Sequence, residues 1–555
     1  MKIRRQAMYN SYENVMVEAL KKQNAEVLFG SAFYPYLFQS SKDIQFSPLT
    51  HEQSVIHAAD GYARATGKPG IAFITTDYGL TNAVTGIATA QIDSVPLIVF
   101  VKQCKQFDTY LDIEAITKPI SKYYFQIRKR KHIPSIIAEA YQLALAGRNG
   151  VIIIEYNPTE NDESEQYNDI DSPILTTIQK KHPNVNMNQL NHIVSLIKNA
   201  KKPVLLIGGG VIASGASDVL RKFLDQTNIP FVSTLMGLGA IEADHPLHLG
   251  MVGMHGTFAA NRAVHRADLL VCLGVRFSDR ITGKTKGFSP HSTKIQIEID
   301  PAEVNKNIVV DFPIIMDILQ FLQTINPLLQ DFTLDHWVEE VLTWRKTSPQ
   351  FSNATSELKP DKIIKLLYSH AHKDVIVATD VGQHQMWTAL HYPFQQPRHL
   401  LTSGGFGTMG YGLPASIGGA LANQNQQVIC VTGDGSIQMN IQELFHVANN
   451  KLNIKIVILR NGYLGMVRQW QQLFYKNKYS QVKISSPDFI GFATSIGITG
   501  YQAKTEKEAE EMIKKAFQID GPVLLDFIIE EEVNVYPIVP PGGNNTDAIL
   551  GEDNK

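Results

Sequence analysis

The sequence is poor in cysteine, carries almost no net charge and contains no long apolar run. Its 555 residues include three cysteines, Cys104, Cys272 and Cys430, which lie far apart. They predict buried thiols in a reducing compartment, rather than a disulfide framework. A net charge of −2 gives no electrostatic footprint for nucleic acid. No run approaches the roughly 18 apolar residues of a membrane span, and the N-terminus lacks the apolar region of a signal peptide. We therefore expect a cytoplasmic protein.

What is present is a regular alternation of strand-like and helix-like segments. Apolar residues make up 44% of the chain and charged residues 19%, which is typical of a well-packed protein. The length exceeds one hydrophobic core, so several domains are expected. The alternation predicts an α/β protein with three doubly wound parallel-sheet domains, over residues 1–170, 185–330 and 358–535. The tail, 536–555, is too rich in proline and glycine for a helix or a central strand and is expected to wrap over another surface.

Two other features of the organisation bear on function. The first and third segments are candidates for a shared sheet architecture. A basic run at residues 128–131 favours a solvated turn over a binding patch for an acidic partner.

The most specific motif lies in the third segment. Asp434, within Gly-Asp-Gly-Ser, and Asn461, within Asn-Gly-Tyr, each follow an apolar strand-like run. Open α/β sheets place ligands at the carboxyl ends of their strands. A carboxylate, an amide oxygen and the backbone carbonyl of Tyr463 would give Mg²⁺ the oxygen ligands it prefers. The small residues Gly435 and Ser436 would let backbone N–H groups approach a diphosphate at a helix N-terminus. This pattern resembles the thiamine-diphosphate binding motif.

Thiamine chemistry also needs an acid beside the pyrimidine ring of the cofactor. Glu52, within His-Glu-Gln at a predicted helix start, is the candidate. Taken alone, a glutamate at a helix start is more often a solvated capping residue. The residues around it change that interpretation.

Residues 51–68 closely resemble the glutamate segment of acetohydroxyacid (acetolactate) synthase catalytic subunits, and the resemblance runs through almost the whole chain. It is carried by residues 234–240, 249–257, 274–280, 299–303, 381–387, 403–410, 461–470 and 535–542. These segments separate acetolactate synthases from other thiamine-dependent decarboxylases. The resemblance implies a pyrimidine-binding first domain, an FAD-binding central domain and a diphosphate-binding third domain.

The resemblance also implies roles for individual residues. Glu52 would activate the cofactor, Met409 would be an apolar wedge beneath it, and Met466 and Trp470 would line the pocket for the second 2-keto acid. The metal ligands would be Asp434, Asn461 and the Tyr463 carbonyl. The diphosphate would be held by Gly382, Gln383, His384, Gly435 and Ser436.

A flavin site is implied in the central domain, with FAD in a structural role. Three glycines, 208–210, follow an apolar strand, but alone they are a weak nucleotide signal because the G-x-G-x-x-G spacing is missing. The resemblance places FAD against Gly209, Gly210, Thr234, Leu235, Met254, His255, Arg276, Asp279 and Arg280. Arg276 would offer a fork to a flavin phosphate or ring carbonyl.

Departures from the family pattern cluster in the first domain. Ser54–Ile56 replace small residues, 75–79 replace a Thr-Ser-Gly-Pro-Gly loop, and 102–104 and 107–110 differ as well. Asp77 stands at a family glycine and would place bulk and an anion near a site for a 2-keto acid anion. We therefore expect thiamine diphosphate, Mg²⁺ and FAD to bind, and acetolactate formation to be altered, weak or absent.

The activity implied by the resemblance is decarboxylation of pyruvate and carboligation to pyruvate or 2-ketobutyrate, in branched-chain amino acid biosynthesis. A homodimer or tetramer and a small regulatory subunit are implied as partners, with Glu52 of one subunit facing the Asp434 half of another. Two alternatives remain open: a thiamine-dependent lyase or carboligase with another substrate, and a non-catalytic paralogue. A flavin or nicotinamide dehydrogenase is disfavoured, since it would leave the Asp434–Asn461 motif without a purpose.

Overall fold

The computed structural model describes residues 12–31, 44–103, 111–157, 186–329, 334–347, 358–423 and 426–551. These residues form three six-stranded sheets, in which every strand pair is parallel. The predicted α/β class with three doubly wound domains is confirmed.

The first sheet has the strand order β2-β1-β3-β4-β6-β5. Its strands are β1 (Val27–Ser31), β2 (Gln45–Leu49), β3 (Gly70–Ile74), β4 (Leu97–Lys102), β5 (Tyr123–Ile127) and β6 (Val151–Tyr156). Its helices are α1 (Tyr12–Lys22), α2 (Glu52–Thr66), α3 (Asp77–Ile92), α4 (Ile113–Thr117) and α5 (Ile133–Leu145). The order reverses between β1 and β3, so the carboxyl ends of these two strands form the switch point of this sheet.

The central sheet has the order β12-β11-β10-β7-β8-β9, with its switch point between β7 and β10. Its strands are β7 (Pro203–Ile207), β8 (Phe231–Ser233), β9 (His248–Met251), β10 (Leu269–Leu273), β11 (Thr293–Glu298) and β12 (Phe312–Ile315). Its helices are α6 (Met187–Asn199), α7 (Gly209–Ala213), α8 (Ser217–Thr227), α9 (Phe258–Arg266), α10 (Asp279–Thr282), α11 (Ile318–Ile325) and α12 (Asp335–Lys346). Helix α12 lies beyond the predicted boundary at residue 330 yet packs on this sheet, where Trp337 Nε1 donates to Pro203 O at 3.0 Å.

The third sheet repeats the strand order of the first, as β14-β13-β15-β16-β18-β17. Its strands are β13 (Ile376–Thr379), β14 (Leu400–Leu401), β15 (Val428–Gly433), β16 (Ile454–Arg460), β17 (Thr499–Ala503) and β18 (Val523–Ile528). Its helices are α13 (Pro360–His370), α14 (Gln383–His391), α15 (Gly412–Ala422), α16 (Asp434–Ile437), α17 (Leu444–Asn449), α18 (Gly465–Phe474), α19 (Phe489–Ser495) and α20 (Glu506–Gln518). The shared architecture of the first and third segments is thereby confirmed.

Helices α2 and α15 join the first and third domains at very short range. A Cβ added to Gly61 would lie 2.2 Å from the Ala415 carbonyl oxygen, and one added to Gly418 would lie 1.9 Å from that of Ala58. Only glycine allows this approach. One apolar core cluster contains buried residues of both domains. The helix that begins with Glu52 is therefore fixed against the third domain.

The tail wraps over the central domain, as expected. Val539 N donates to Met254 O at 2.8 Å, and Asn545 Nδ2 donates to Ile281 O at 2.9 Å. Cys272 and Cys430 are buried free thiols, as predicted, and Cys104 lies outside the described residues. None of the described helices combines the length and the apolar character needed to cross a bilayer.

Candidate functional site

Two loops at the carboxyl edge of the third sheet bring Asp434 and Asn461 together. Strands β15 and β16 are neighbours, with Gly433 opposite Leu459. Asp434 follows the first strand and Asn461 follows the second. The Gly462 N–H donates to Asp434 Oδ2 at 2.9 Å, so the loop that starts at Asn461 closes directly onto the carboxylate. Both side chains are buried. The arrangement fits an ion between them.

The electrostatics of Asp434 also suit a cation. Burial raises the pKa of its carboxyl group, and this effect is opposed by hydrogen bonds from the Ser486 hydroxyl, at 2.8 Å, and from the Gly462 backbone. A buried carboxylate gains from any cation placed beside it. Among the described residues, no three His, Cys, Asp or Glu side chains are grouped to hold a metal. Mg²⁺ here would depend on one carboxylate, neutral oxygens and phosphate oxygens, which is its usual protein environment.

The residues that follow the neighbouring strand, β13, provide polar groups that suit a diphosphate. Helix α14 begins after Gly382, whose φ of +153° lies in the region that favours glycine. His384 is buried, and its Nε2 has no hydrogen-bond partner among the residues that the structure describes. A Cβ added to Gly433 would lie 2.9 Å from Nδ1 of His384. Burial lowers the pKa of His384 to about 3, so the ring is a neutral donor or acceptor. An unpartnered polar atom beside a helix N-terminus fits a phosphate ligand.

The side chain of Gln383 is committed to protein partners. Its Nε2 donates to Gln469 Oε1 and to Val533 O, both at 2.8 Å. Its Oε1 accepts from Asn461 Nδ2 at 3.3 Å. The side chain therefore orients Asn461, and a contribution of Gln383 to diphosphate binding would come from its backbone.

The other predicted residues of this half lie nearby. The Ser436 hydroxyl accepts from Gly433 N at 3.2 Å, and a Cβ on Gly435 would press on Ile484 and Leu464. Tyr463 pairs with Lys483 in an isolated bridge. Met409, Met466 and Trp470 are half-buried, and Trp470 packs edge-on against Phe474.

Glu52 is the first residue of α2 and is half-buried in the single chain. Its Oε2 accepts from Asn82 Nδ2 at 3.0 Å. A Cβ on Gly79 would lie 3.0 Å from Glu52 Oε1, so the start of α3, in the segment that departs from the family pattern, lies against the acid. Tyr78 is 62% exposed beside it. The side chain of Asp77 and residues 104–110 lie outside what the structure describes.

The predicted flavin residues follow strands β7, β8, β9 and β10, at the carboxyl edge of the central sheet. Gly210 follows β7 and packs on Gly274, which follows β10, so closely that a Cβ on Gly210 would lie 2.7 Å from the Gly274 Cα. Thr234 is buried and donates its N–H to Ile207 O, while Leu235 is half-buried beside it. This edge offers glycine backbone and arginine side chains, which suit a dinucleotide.

The arginines of this site already contact the other two domains. Arg276 donates to Ile92 O in the first domain, and Arg280 donates to the carbonyls of Gly404 and Gly405 in the third. Asp279 accepts from the Arg280 N–H at 2.9 Å. The remaining candidates contact the tail: Met254 O accepts from Val539, and His255 Nδ1 lies 3.0 Å from Pro537 O. Of the nine candidates, Arg276 and Arg280 therefore connect the central domain to the other two.

Two buried carboxylates of the third domain were not found by sequence reasoning. Asp380 accepts from the N–H groups of Val381, Gly410 and Gly412. Burial raises its pKa to about 6, against these hydrogen bonds. Glu443 accepts from backbone N–H groups just before Glu52. Asp380 had a signal, because it follows a strand as Asp434 does; Glu443 had none.

Comparison with known proteins gives a consistent result along the chain. Thiamine pyrophosphate enzyme domains match in order: the N-terminal TPP binding domain over residues 10–126, the central domain over 190–325 and the C-terminal TPP binding domain over 380–527. The acetolactate synthase large subunit of Haemophilus influenzae is 37% identical over 97% of this chain and 98% of its own length. A probable acetolactate synthase large subunit of Methanococcus aeolicus is 40% identical, over 96% and 94%. The isozyme 2 large subunit of Escherichia coli is 37% identical, over 96% and 98%.

Proposed function

Because the chain belongs to the thiamine pyrophosphate enzyme family and is related to acetolactate synthase large subunits, we propose that it is an acetolactate-forming carboligase. It would decarboxylate pyruvate and join the remaining two-carbon unit to a second 2-keto acid. Pyruvate as acceptor would give acetolactate, and 2-ketobutyrate would give acetohydroxybutyrate.

One observation carries this proposal: Asp434 and Asn461 converge at the sheet edge, beside the unpartnered Nε2 of His384. A metal-bound diphosphate would use all three. Asp434 and Asn461 would hold Mg²⁺ with the Tyr463 carbonyl, while His384 and the N-terminus of α14 would receive phosphate oxygens. When bound, thiamine diphosphate supplies a ring that accepts the electron pair released on decarboxylation.

The remaining steps belong to side chains of this protein. Glu52 would hold a proton at the pyrimidine ring nitrogen. For this role it must lie within hydrogen-bond distance of that nitrogen, as any general acid must. Met466 and Trp470 would limit the size of the acceptor by shape. FAD at the switch point of the central sheet would tie the three domains together through Arg276 and Arg280, in a structural role.

The acid and the metal site would come from different copies of the chain. Glu52 lies on the first domain and is half-buried in the single chain, so a second copy would bring its Asp434 edge to cover it. A dimer is then the smallest working unit. A small regulatory subunit is a further proposed partner, by analogy with the family.

A carboligase with another substrate is the second candidate, and a specific observation favours it. The start of α3 lies against Glu52 through Gly79, in a segment where Asp77 and Tyr78 depart from the family pattern. A pocket remodelled there would change the donor acid and leave cofactor binding intact.

Product analysis separates the two candidates. The protein would be loaded with thiamine diphosphate, Mg²⁺ and FAD and given a panel of 2-keto acids of increasing size, alone and in pairs. Acetolactate as the main product from pyruvate supports the first candidate. Turnover confined to another donor supports the second, and cofactor binding without turnover of any acid contradicts both and leaves a non-catalytic paralogue.

A further inference from the structure

A buried carboxylate of the third domain lies against the start of the helix that carries Glu52. Glu443 ends a short 3-10 turn and is fully buried. Both of its carboxylate oxygens lie 3.2 Å from the Thr50 N–H, and Oε1 also accepts from the His51 N–H at 3.3 Å. His51 caps α2, so these bonds hold the backbone immediately before Glu52.

Two contacts from the same segment flank this one. The Ser54 hydroxyl donates to Asn440 Oδ1 at 3.1 Å, and the Ser47 hydroxyl lies 3.0 Å from His446 Nε2. We call Asn440, Glu443 and His446 the interdomain clamp. It grips the chain before and after Glu52, across the boundary between two domains.

The chemistry of Glu443 is unusual for a buried acid. Within the part of the chain that the structure describes, its hydrogen-bond donors are neutral: the backbone N–H groups of Thr50 and His51 and the side-chain amide of Gln442. Burial raises the pKa of its carboxyl group, and these hydrogen bonds oppose the rise. Burying a carboxylate without a cation is costly, whereas hydrogen bonds to a charged acceptor are stronger than neutral ones. In its ionised form, such a group holds two backbone N–H groups more firmly than a neutral acceptor would.

The clamp also reaches the loop of the same chain that carries Met409, which in the proposed dimer would belong to the second site. Asn440 Nδ2 donates to Gly410 O at 2.6 Å, next to Met409, and the Gly410 N–H is held by Asp380. Ser54, the donor to Asn440, is one of the positions where this chain departs from the family pattern. The link from the Glu52 helix to the Met409 loop therefore depends on the Ser54 hydroxyl and the Asn440 amide.

We propose that Glu443 is a positioning residue for Glu52, and that the Ser54–Asn440 bond supports it; the inference rests on the role given to Glu52 in the proposed function. A catalytic acid must be held within a fraction of an ångström of its working position, and a misplacement of about 1 Å can cost about a hundredfold in rate. Glu443 sets that position through its hydrogen bonds to the backbone of Thr50 and His51.

The test is Glu443→Gln in the full-length protein. The amide keeps one oxygen acceptor. Its NH₂ group replaces the second oxygen and cannot accept the backbone hydrogen bond that this oxygen accepted. We expect kcat to fall about tenfold or more, while the Kd for thiamine diphosphate and the KM for pyruvate change less than about threefold, since binding groups are untouched. In the cofactor-free protein, hydrogen exchange in a peptide spanning residues 44–56 should become faster.

Two further variants separate positioning from stability. Glu443→Asp keeps two oxygen acceptors and should recover part of the lost kcat. Asp268→Asn alters a carboxylate in the central domain that likewise accepts from two consecutive backbone N–H groups, those of Lys201 and Lys202, at 2.8 and 2.9 Å. It should lower the melting temperature and leave the kcat and the exchange of residues 44–56 unchanged.

The outcomes are decisive. A lowered kcat with faster local exchange for Glu443→Gln, and neither change for Asp268→Asn, supports the inference. If Glu443→Gln behaves as Asp268→Asn does while Glu52→Gln is inactive, the positioning role is wrong and the proposed function stands. If Glu52→Gln keeps full activity, the role of Glu52 in the proposed function fails, and the inference fails with it.

Discussion

The first and third domains share one strand order yet present different chemistry at the same edge of the sheet. In the third domain the switch point between β13 and β15 carries two buried carboxylates, Asp380 and Asp434. In the first domain the corresponding switch point, between β1 and β3, carries the hydroxyls of Ser31 and Thr75, which lie 3.0 Å apart. The acid of the first domain, Glu52, follows β2 instead. Shared topology therefore sets where a site can form, and the residues at the strand ends decide what it does.

The resemblance to the family also predicts that this chain differs from it mainly in the first of these two domains. The third-domain segments that resemble the family surround buried groups with hydrogen-bond roles, so substitution there would break the metal half. The departures lie in the first domain, around Glu52, where loops can vary without loss of the fold. Cofactor binding should therefore be robust, and differences from the family should appear in turnover.

The largest effect is expected from Glu52→Gln. An amide cannot exchange a proton with the pyrimidine nitrogen, so kcat should fall by about 10²- to 10⁴-fold. The Kd for thiamine diphosphate, followed by fluorescence titration, should stay within about threefold. A normal kcat for this variant would mean that Glu52, and with it the first domain, takes no part in the reaction.

Asp434→Asn should have the next largest effect, and this effect should be on cofactor affinity. Loss of the anionic ligand should weaken Mg²⁺-dependent binding of thiamine diphosphate by more than about a hundredfold, because neutral oxygens bind Mg²⁺ poorly. Calorimetric titration with and without a chelator measures this. Asp374→Asn, in the same domain but away from the site, is the control, and equal affinities for the two variants would contradict the metal assignment.

Gly418→Ala tests the contact between the two domains. Its Cβ would meet the Ala58 carbonyl at 1.9 Å, so we expect destabilisation of roughly 1–3 kcal/mol from overpacking. Gly419→Ala, one residue on, meets the flexible end of Leu401 at 2.9 Å and should be nearly neutral or stabilising, since alanine favours a helix. Chemical denaturation compares the two. Equal stability of the variants would mean that α2 and α15 do not pack as closely as described.

Asp77→Gly places a glycine at the first residue of α3, where the resemblance to the family implies one. If the carboxylate repels the 2-keto acid anion, the change should raise kcat/KM for pyruvate by about tenfold or less, with the larger rise at low ionic strength. Steady-state assays at two salt concentrations measure this. A fall in kcat/KM would show instead that the loop serves the substrate of this protein.

The smallest effect concerns two buried histidines, one in each domain. Burial lowers the pKa of both His57 and His384 to about 3. Their unfolded-state pKa is higher, near 6.5, so protons bind preferentially to the unfolded chain and stability is lost as pH falls from about 6.5 toward 3. In the cofactor-free protein, His57→Asn and His384→Asn should each flatten the fall in melting temperature between pH 7 and 5. Saturating thiamine diphosphate and Mg²⁺ should reduce the difference in pH dependence between His384→Asn and the unsubstituted protein, because a bound phosphate would favour the protonated His384 ring. The same ligands should leave the effect of His57→Asn unchanged.

How much could be foreseen from the sequence differs between the two domains. The strands, and the placement of Asp434 and Asn461 at their ends, followed from apolar runs that stop at polar residues. The commitment of the Gln383 side chain and the contacts of Arg276 could not be foreseen, because they join segments far apart in the chain. Glu443 lies 392 residues from His51, so no local pattern relates them. The periodicity of apolar residues predicts which face of a helix or strand is buried. It does not predict which distant polar group forms a hydrogen bond with that element.

The most direct measurement mixes two inactive variants. Glu52→Gln damages only the first-domain half of a site and Asp434→Asn only the third-domain half. If each site is built from two copies, random reassortment of equal amounts of the two proteins gives one intact site in half of the dimers, and about a quarter of the wild-type rate of acetolactate formation should return. No recovery after confirmed subunit exchange would contradict the account, because it would place both halves within one chain.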